Sequence, residues 1–375
     1  MASLYLHIPF CKTKCCYCSF NSFAALNKLH EPYVQAIREE LCLIAAKEKR
    51  GNLATLFIGG GTPTVLTADQ LVSLVNLVEL LFGFADDVEI SLEANPGTVT
   101  EIDLIKLKNG GVNRLSFGVQ SFNDQELLLL GRCHNCHEAE KAVTVANKVG
   151  FENINLDLMY GLPGQGVGSW QQSLKTALSL HPNHLSLYQL TVEPGTPLEE
   201  YIRAGKIFLP GEDEVVEMDL VTEHFSQTSG LKQYEISNYA RKGARCRHNV
   251  NYWLNNEYLA AGSGAVSYLH GLREKRVVDP AKYIGLIGEG KSVIHESEKL
   301  SPEAAFRETV IMGLRMNKGV SLTELYDRFG VDLQEYYGNT LTRLIALSLL
   351  RFKGDRLQVT HKGRPLSNRI MAELV

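Results

Sequence analysis

The chain has no apolar run long enough to span a bilayer and no basic-then-apolar stretch at its start, so neither a membrane-spanning nor a secreted protein is expected. Nor is there an excess of positive charge. Its 38 Lys and Arg against 42 Asp and Glu give a net charge of −4, which removes the electrostatic motive for nucleic-acid binding. Repeats and low-complexity tracts are also missing, which sets solenoids and disordered tails aside. What the chain does have is length: 375 residues of ordinary globular composition can bury one large core and a second, smaller one. Eight cysteines are present, and four of them crowd between Cys11 and Cys18. Disulfide frameworks suit small secreted domains, whereas clustered thiols in a reducing cytosol more often bind metal. The expected compartment is the cytoplasm.

Short apolar or alternating stretches at Leu4–Ile8, Ala54–Ile58, Val88–Ala94, Arg114–Val119, Asn153–Tyr160 and His184–Leu190 predict strands. Between them, helices are predicted at Glu31–Lys49, Thr67–Phe82, Glu101–Lys108, His137–Val149 and Ser169–Leu180; the second opens on a near-capping box, Thr-Ala-Asp-Gln. Six successive strand–helix units imply a parallel sheet with right-handed crossovers, curved as a partial (β/α)6 barrel. An open doubly wound sheet fits the same pattern. After a mixed stretch from Pro194 to about Ser292, the C-terminal texture reads as a helix from Ser301, helices at Ser321–Phe329 and Leu333–Leu350, a hairpin at Lys353–Asp355 and a closing helix. That is a winged-helix pattern, but its acidic residues Glu324, Asp327, Asp332 and Glu335 favour a packing or lid role over DNA binding. The expected divisions are 1–235, 236–295 and 296–375.

The first strand runs into Cys11-Lys-Thr-Lys-Cys15-Cys16-Tyr17-Cys18, a C-x3-C-x2-C spacing. Three thiolates from one short loop can ligate three irons of a [4Fe–4S] cubane and leave the fourth open. An open iron can chelate the amino and carboxylate groups of S-adenosylmethionine (SAM). Structural zinc is the competing reading, but it wants four ligands, and only Cys16 or His7 stands near as a fourth. Cys15 and Cys16 are adjacent and only Cys15 keeps the spacing, so Cys16 is expected to point away.

The thiol loop and the residues beyond it resemble the radical SAM superfamily, within it the oxygen-independent coproporphyrinogen III dehydrogenase branch, over essentially the whole chain. Gly59-Gly60-Gly61-Thr62-Pro63 comes directly after the second strand, where glycines let backbone groups approach a ligand. Ligands of parallel barrels sit at the carboxyl ends of strands, and Glu93, Gln120, Asp157 and Tyr188 fall at or near that edge. Arg132 is expected on the short helix after Gln120. Chemically, Glu93 suits the amino end of SAM, Arg132 its carboxylate and Gln120 its ribose. The resemblance implies a SAM-pocket role for Tyr5, Gly60, Gly61, Thr62, Glu93, Gln120, Arg132 and Asp157.

One departure separates the chain from the dehydrogenases. Their loop carries a fourth cysteine two residues after the third, where this sequence has Phe20 in Cys18-Ser-Phe20-Asn-Ser. Related heme chaperones of the HemW group also lack that cysteine. A second resemblance to that group is His248-Asn-Val-Asn-Tyr252-Trp253, similar to its His-Asn-x-x-Tyr-Trp heme signature. An imidazole can ligate heme iron while Tyr and Trp lie beside the macrocycle, although a histidine among aromatics also serves as a hydrogen-bonded core residue. The implied function is a heme chaperone that binds heme through His248 and hands it to an acceptor protein. The alternative is a radical SAM enzyme acting on coproporphyrinogen III or another substrate. Cys133 and Cys136 form an incomplete C-x2-C pair and are read as bystanders. Cys42, beside the apolar face of the first helix, is expected to be a small buried residue.

Overall fold

The computed structural model describes residues 2–48 and 51–375. Six parallel strands come in chain order: β1 (Ala2–Ile8), β2 (Leu53–Gly60), β3 (Phe84–Ala94), β4 (Arg114–Gln120), β5 (Ile154–Tyr160) and β6 (His184–Gln189). The crossovers are α1 (His30–Lys47), α2 (Ala68–Phe82), α3 (Glu101–Asn109), α4 (Asp124–Leu129) with α5 (Cys136–Val149), and α6 (Val167–Ser179). The predicted end of the first helix at Lys49 lies outside the described residues. Thr67 and Gln70 form the reciprocal capping box that starts α2. Strand alternation sends Leu4, Leu6, Ile8, Leu56, Ile58, Leu92, Leu115, Phe117, Leu156 and Leu158 outward into one core under the helices. This apolar shell is why one face of every barrel strand reads as aliphatic.

The sheet continues past these six. After α7 (Pro197–Arg203) and α8 (Glu212–Ser229) come β7 (Lys232–Gln233) and β8 (Asn238–Ala240), then α9 (Arg247–Trp253) and β9 (Leu259–Ala261). The order is β9-β1-β2-β3-β4-β5-β6-β8-β7, with β9 parallel to β1 and β8 antiparallel to β6. Residues assigned from sequence to a separate extension therefore supply β9 at one edge of the barrel sheet and β8, next to the last strand, at the other.

The C-terminal unit has its own core, including Phe306, Leu325, Leu344 and Leu357. Helices Leu322–Phe329 and Leu333–Ala346 precede a hairpin of Leu350–Lys353 and Arg356–Val359, as the winged-helix reading expects. Two boundaries differ. The expected division at 296 falls inside the strand Ile294–Lys299, which pairs with Leu272–Arg276 and belongs with the preceding sheet. The helix expected to reach Leu350 stops at Ala346, because Ser348 takes a left-handed φ of 58° and turns the chain into the hairpin. Among the described residues no helix is long and apolar enough to cross a membrane.

Candidate functional site: a thiol loop over a polar barrel lumen

The opposite face of the barrel strands is polar. Buried on it are Ser3, His7, Thr55, Glu89, Ser91, Arg114, Ser116, Asn155, His184 and Ser186. A lumen of this composition cannot be an aliphatic plug of the kind that fills closed (β/α)8 barrels; it is shaped for a polar ligand. Many of its members are hydrogen-bonded to one another, although Arg114 Nε is buried without a partner. Asn155 Nδ2 donates to Asp157 Oδ1 (2.8 Å) and Ser116 Oγ (2.7 Å), Ser116 Oγ donates to Asp157 Oδ2 (3.2 Å), and His184 Nδ1 meets Asn155 Oδ1 at 2.6 Å.

At the carboxyl ends, Gly60 N donates to Glu93 Oε2 at 3.0 Å. Burial, then the charge of Asp157, pushes the Glu93 carboxyl up to about 8; Asp157 is raised too, chiefly by burial. Two buried carboxyls that repel each other are a ready seat for a cationic group. Gly60 sits at φ 122°, and a Cβ on Gly61 would lie 2.6 Å from Phe10 O and 2.9 Å from Cys11 Sγ. The glycine turn thus lets the strand end lie directly beneath the thiol loop. It is pinned there by Gly61 N to Ile8 O (2.8 Å) and Thr62 N to Phe10 O (2.7 Å).

Cys11, Cys15 and Cys18 lie close enough for the three sulfurs to interact electrostatically. Among the described residues, no three His, Cys, Asp or Glu side chains are gathered around a point fit for a single metal ion. A cubane held by three thiolates needs no fourth protein ligand, whereas structural zinc does. The two candidate fourth ligands are otherwise engaged. Cys16 Sγ donates to Leu129 O (3.1 Å), while His7 Nε2 donates to Asn21 O (2.9 Å) and its Nδ1 accepts from Tyr5 OH (3.0 Å).

Arg132 stands in the turn past α4 rather than on a helix, since α4 ends at Leu129. Its Nη1 approaches Cys15 Sγ at 3.4 Å, Nη2 donates to Asn95 Oδ1 at 2.6 Å and to Gly118 O, and Nε is buried without a partner. An orphaned guanidinium NH beside the thiol loop fits a carboxylate ligand there. Gln120 closes β4 with φ 70°, at an irregularity in its pairing with β5, so its backbone is strained there.

Sequence reasoning missed Asn95 and Glu89. Asn95 Nδ2 donates to Thr62 Oγ1 (2.8 Å), tying the glycine turn to Arg132. Glu89 accepts from the backbone N of Arg247 (3.0 Å) and His248 (3.2 Å), anchoring the start of α9 inside the barrel. A carboxylate on the inward register of a buried strand was the available signal. Cys133, by contrast, is exposed and meets Thr13 Oγ1 at 2.6 Å, and Cys136 opens α5; neither joins the three loop thiols. Cys42 is exposed rather than buried, because Ile37 and Leu41 take the buried face of α1.

His248 is 1 % exposed, with Nδ1 2.8 Å from Thr55 Oγ1 and Nε2 2.9 Å from Tyr252 OH. Its ring lies among Tyr5, Phe57 and Tyr252, with centroids 6.3, 5.2 and 4.8 Å away. Burial and then the Arg114 charge lower its pKa to about 3, so the imidazole is neutral, but both nitrogens are occupied within the protein. The preceding Tyr234 also has a place: its hydroxyl joins His184 Nε2 (2.9 Å) to the backbone N of Cys246 (3.3 Å).

Residues 5–177 match the radical SAM superfamily and residues 300–366 match the HemN C-terminal domain. The structure of the coproporphyrinogen III oxidase HemN of Escherichia coli, described as a radical SAM enzyme, superposes with a TM-score of 0.87 at 26 % identity, covering 100 % of this chain and 89 % of that one. Fold and thiol loop together are those of a radical SAM protein. The heme chaperone HemW of Bacillus subtilis (strain 168) is 37 % identical over 371 residues, 99 % of this chain and 98 % of its own. That of Escherichia coli (strain K12) is 40 % identical over 264 residues, 70 % of this chain and 69 % of its own. The chain belongs to the HemW family of the radical SAM superfamily.

Proposed function

We propose that this protein is a cytoplasmic heme chaperone: it binds heme, carries a SAM-ligated [4Fe–4S] cluster, and passes the heme to an acceptor protein. The observation that carries the reading is its whole-length similarity to proteins named as heme chaperones, together with Phe20 in the thiol loop. Phe20 is 71 % exposed and has none of a thiol's chemistry, so the porphyrinogen-oxidising alternative lacks a group that it uses. In this reading Cys11, Cys15 and Cys18 hold the cluster. Glu93 takes the amino end of SAM, Arg132 the carboxylate and Gln120 the ribose, while Tyr5, Gly60, Gly61, Thr62 and Asp157 line the pocket. When bound, the cluster supplies an open iron for SAM and a source of electrons. His248 is the proposed heme ligand on one condition: an imidazole nitrogen must exchange its Thr55 or Tyr252 partner for iron.

The test is a titration of anaerobically reconstituted protein with hemin, followed by mixing with an apo-hemoprotein. We expect about one heme per chain and its transfer, with no conversion of coproporphyrinogen III in the presence of SAM and reductant. Robust decarboxylation of the porphyrinogen would replace the carrier by the enzyme.

A separate expectation concerns SAM. Arg132→Ala and Glu93→Ala should each lose charge-assisted contacts of about 1.5–3 kcal/mol, a fall in affinity of roughly tenfold or more by calorimetry. Unchanged affinity in both would move the pocket elsewhere.

A further inference from the structure

A cavity of about 470 Å³ opens at the amino-terminal mouth of the barrel, at the end away from the thiol loop. Ser3, Ala54 and Thr55, which begin the strands, line it on one side, and Met316 to Lys318 of the C-terminal unit line it on the other. Its volume lies within the range of about 300–1,000 Å³ typical of small-ligand sites. The wall between them is α9 with its C-cap Leu254, and this segment shows two faces. His248 and Tyr252, four apart, point into the lumen; Arg247, Val250, Asn251 and Leu254 line the cavity. Trp253 belongs to neither, being covered by the Arg315 guanidinium at 4.6 Å.

The cavity combines an apolar floor with a cationic rim. Val250, Leu254 and Met316 supply the floor, and Arg245, Arg247 and Lys318 the rim. Arg247 is paired with Asp87 at 3.1 Å. Among the described residues, Arg245 has no carboxylate partner and stacks over the Tyr234 ring at 5.5 Å; Lys318 has no ion-pair partner either. Burial, then the charge of Arg356, depresses the Lys318 ammonium, with a smaller push from Arg245; the nearby Glu324 opposes this but is itself paired with Arg356 at 3.2 Å. A ligand that answers this chemistry is broad and apolar and carries carboxylates at one edge.

Resting on the heme-carrier reading, we propose that this cavity is the seat of the heme, with the macrocycle on the Val250, Leu254 and Met316 floor and the propionates at Arg245 and Lys318. The cavity gives the heme signature helix a use for the face that His248 does not occupy. Thr55 alone stands between cavity and imidazole along this path, lining the one and holding Nδ1 of His248 at 2.8 Å, so ligation by His248 requires that contact to open. SAM site and heme seat then occupy opposite ends of one barrel, joined through Thr55, His248 and Tyr5.

The test uses the full-length, cluster-loaded protein and three probes: hemin, heme dimethyl ester and metal-free protoporphyrin IX. Wild type should bind hemin at least tenfold more tightly than the ester, and should bind protoporphyrin IX with the same preference for free carboxylates. Arg245→Glu and Lys318→Glu, both exposed positions, should each weaken hemin at least tenfold and erase that preference while SAM affinity holds. If wild type fails to bind hemin, the carrier reading itself falls. If it binds hemin but the two variants match it, or the ester binds as well as hemin, the carrier stands and the seat lies elsewhere.

Discussion

Cys11→Ala, Cys15→Ala and Cys18→Ala should each abolish the broad absorption of a reconstituted cluster and leave iron and sulfide near background, while Cys16→Ala keeps both. The expectation rests on direction as much as on spacing. Cys11 ends the short strand Phe10–Cys11, where its Sγ accepts from Thr62 Oγ1 at 3.6 Å, and Cys15 lies under Arg132. Cys16, one residue on, faces the other way, with its amide bonded to Leu130 O at 3.2 Å and its thiol to Leu129 O. Moving Cys16 into a ligand role would break both bonds and pull it from the small apolar cluster around Leu130, Met159 and Leu162. Iron and sulfide analysis after anaerobic reconstitution decides the matter; a cluster lost in the Cys16 variant and kept in the Cys15 variant overturns the assignment.

His248→Ala should have two separable effects. The first is on stability: the Thr55 and Tyr252 hydroxyls lose their partner in a buried site, each at a cost of about 1–3 kcal/mol, visible as a lower Tm. The second is on heme. An axial imidazole sets the Soret band, so the band should shift when the ring is removed. His248→Gln, which retains hydrogen-bonding groups, separates the two, with stability largely restored and the band still shifted. An unshifted Soret band in both His248 variants would remove the imidazole as ligand without removing heme from the protein. The pH dependence has a definite sign. His248 stays neutral in the fold down to about 3, while in the unfolded chain it takes up a proton near 6.5. The unfolded state therefore binds more protons in that window, and stability is lost as pH falls through it. Part of that slope should vanish in His248→Gln.

Legibility is uneven, for physical reasons. The barrel strands are readable because each carries an aliphatic register facing the helices, and the crossover helices because their caps are local: Thr67 with Gln70, Thr100 with Asp103. The three-thiol loop is readable because its ligands lie within eight residues of one another. Asn95 and Glu89 are not, because each works on a partner remote in sequence. For Arg132 the sequence points to the right neighbourhood but the wrong element, since α4 stops three residues before it.

The chain of residues by itself determined the class of cofactor chemistry, the parallel barrel and the winged C-terminal unit, all of which depend on spacing, periodicity and local caps. Tertiary structure decided which face of each motif meets which neighbour. The segment from His248 to Trp253 shows this most directly. In sequence it is a histidine near two aromatics, but in the fold His248 and Tyr252 turn into the lumen while Arg247, Val250 and Leu254 turn to a cavity whose far wall comes from residues 316–318. Only packing the two units together brings Lys318 opposite Arg245. No local rule relates those positions, because cavities are properties of surfaces that meet rather than of the segments that carry them.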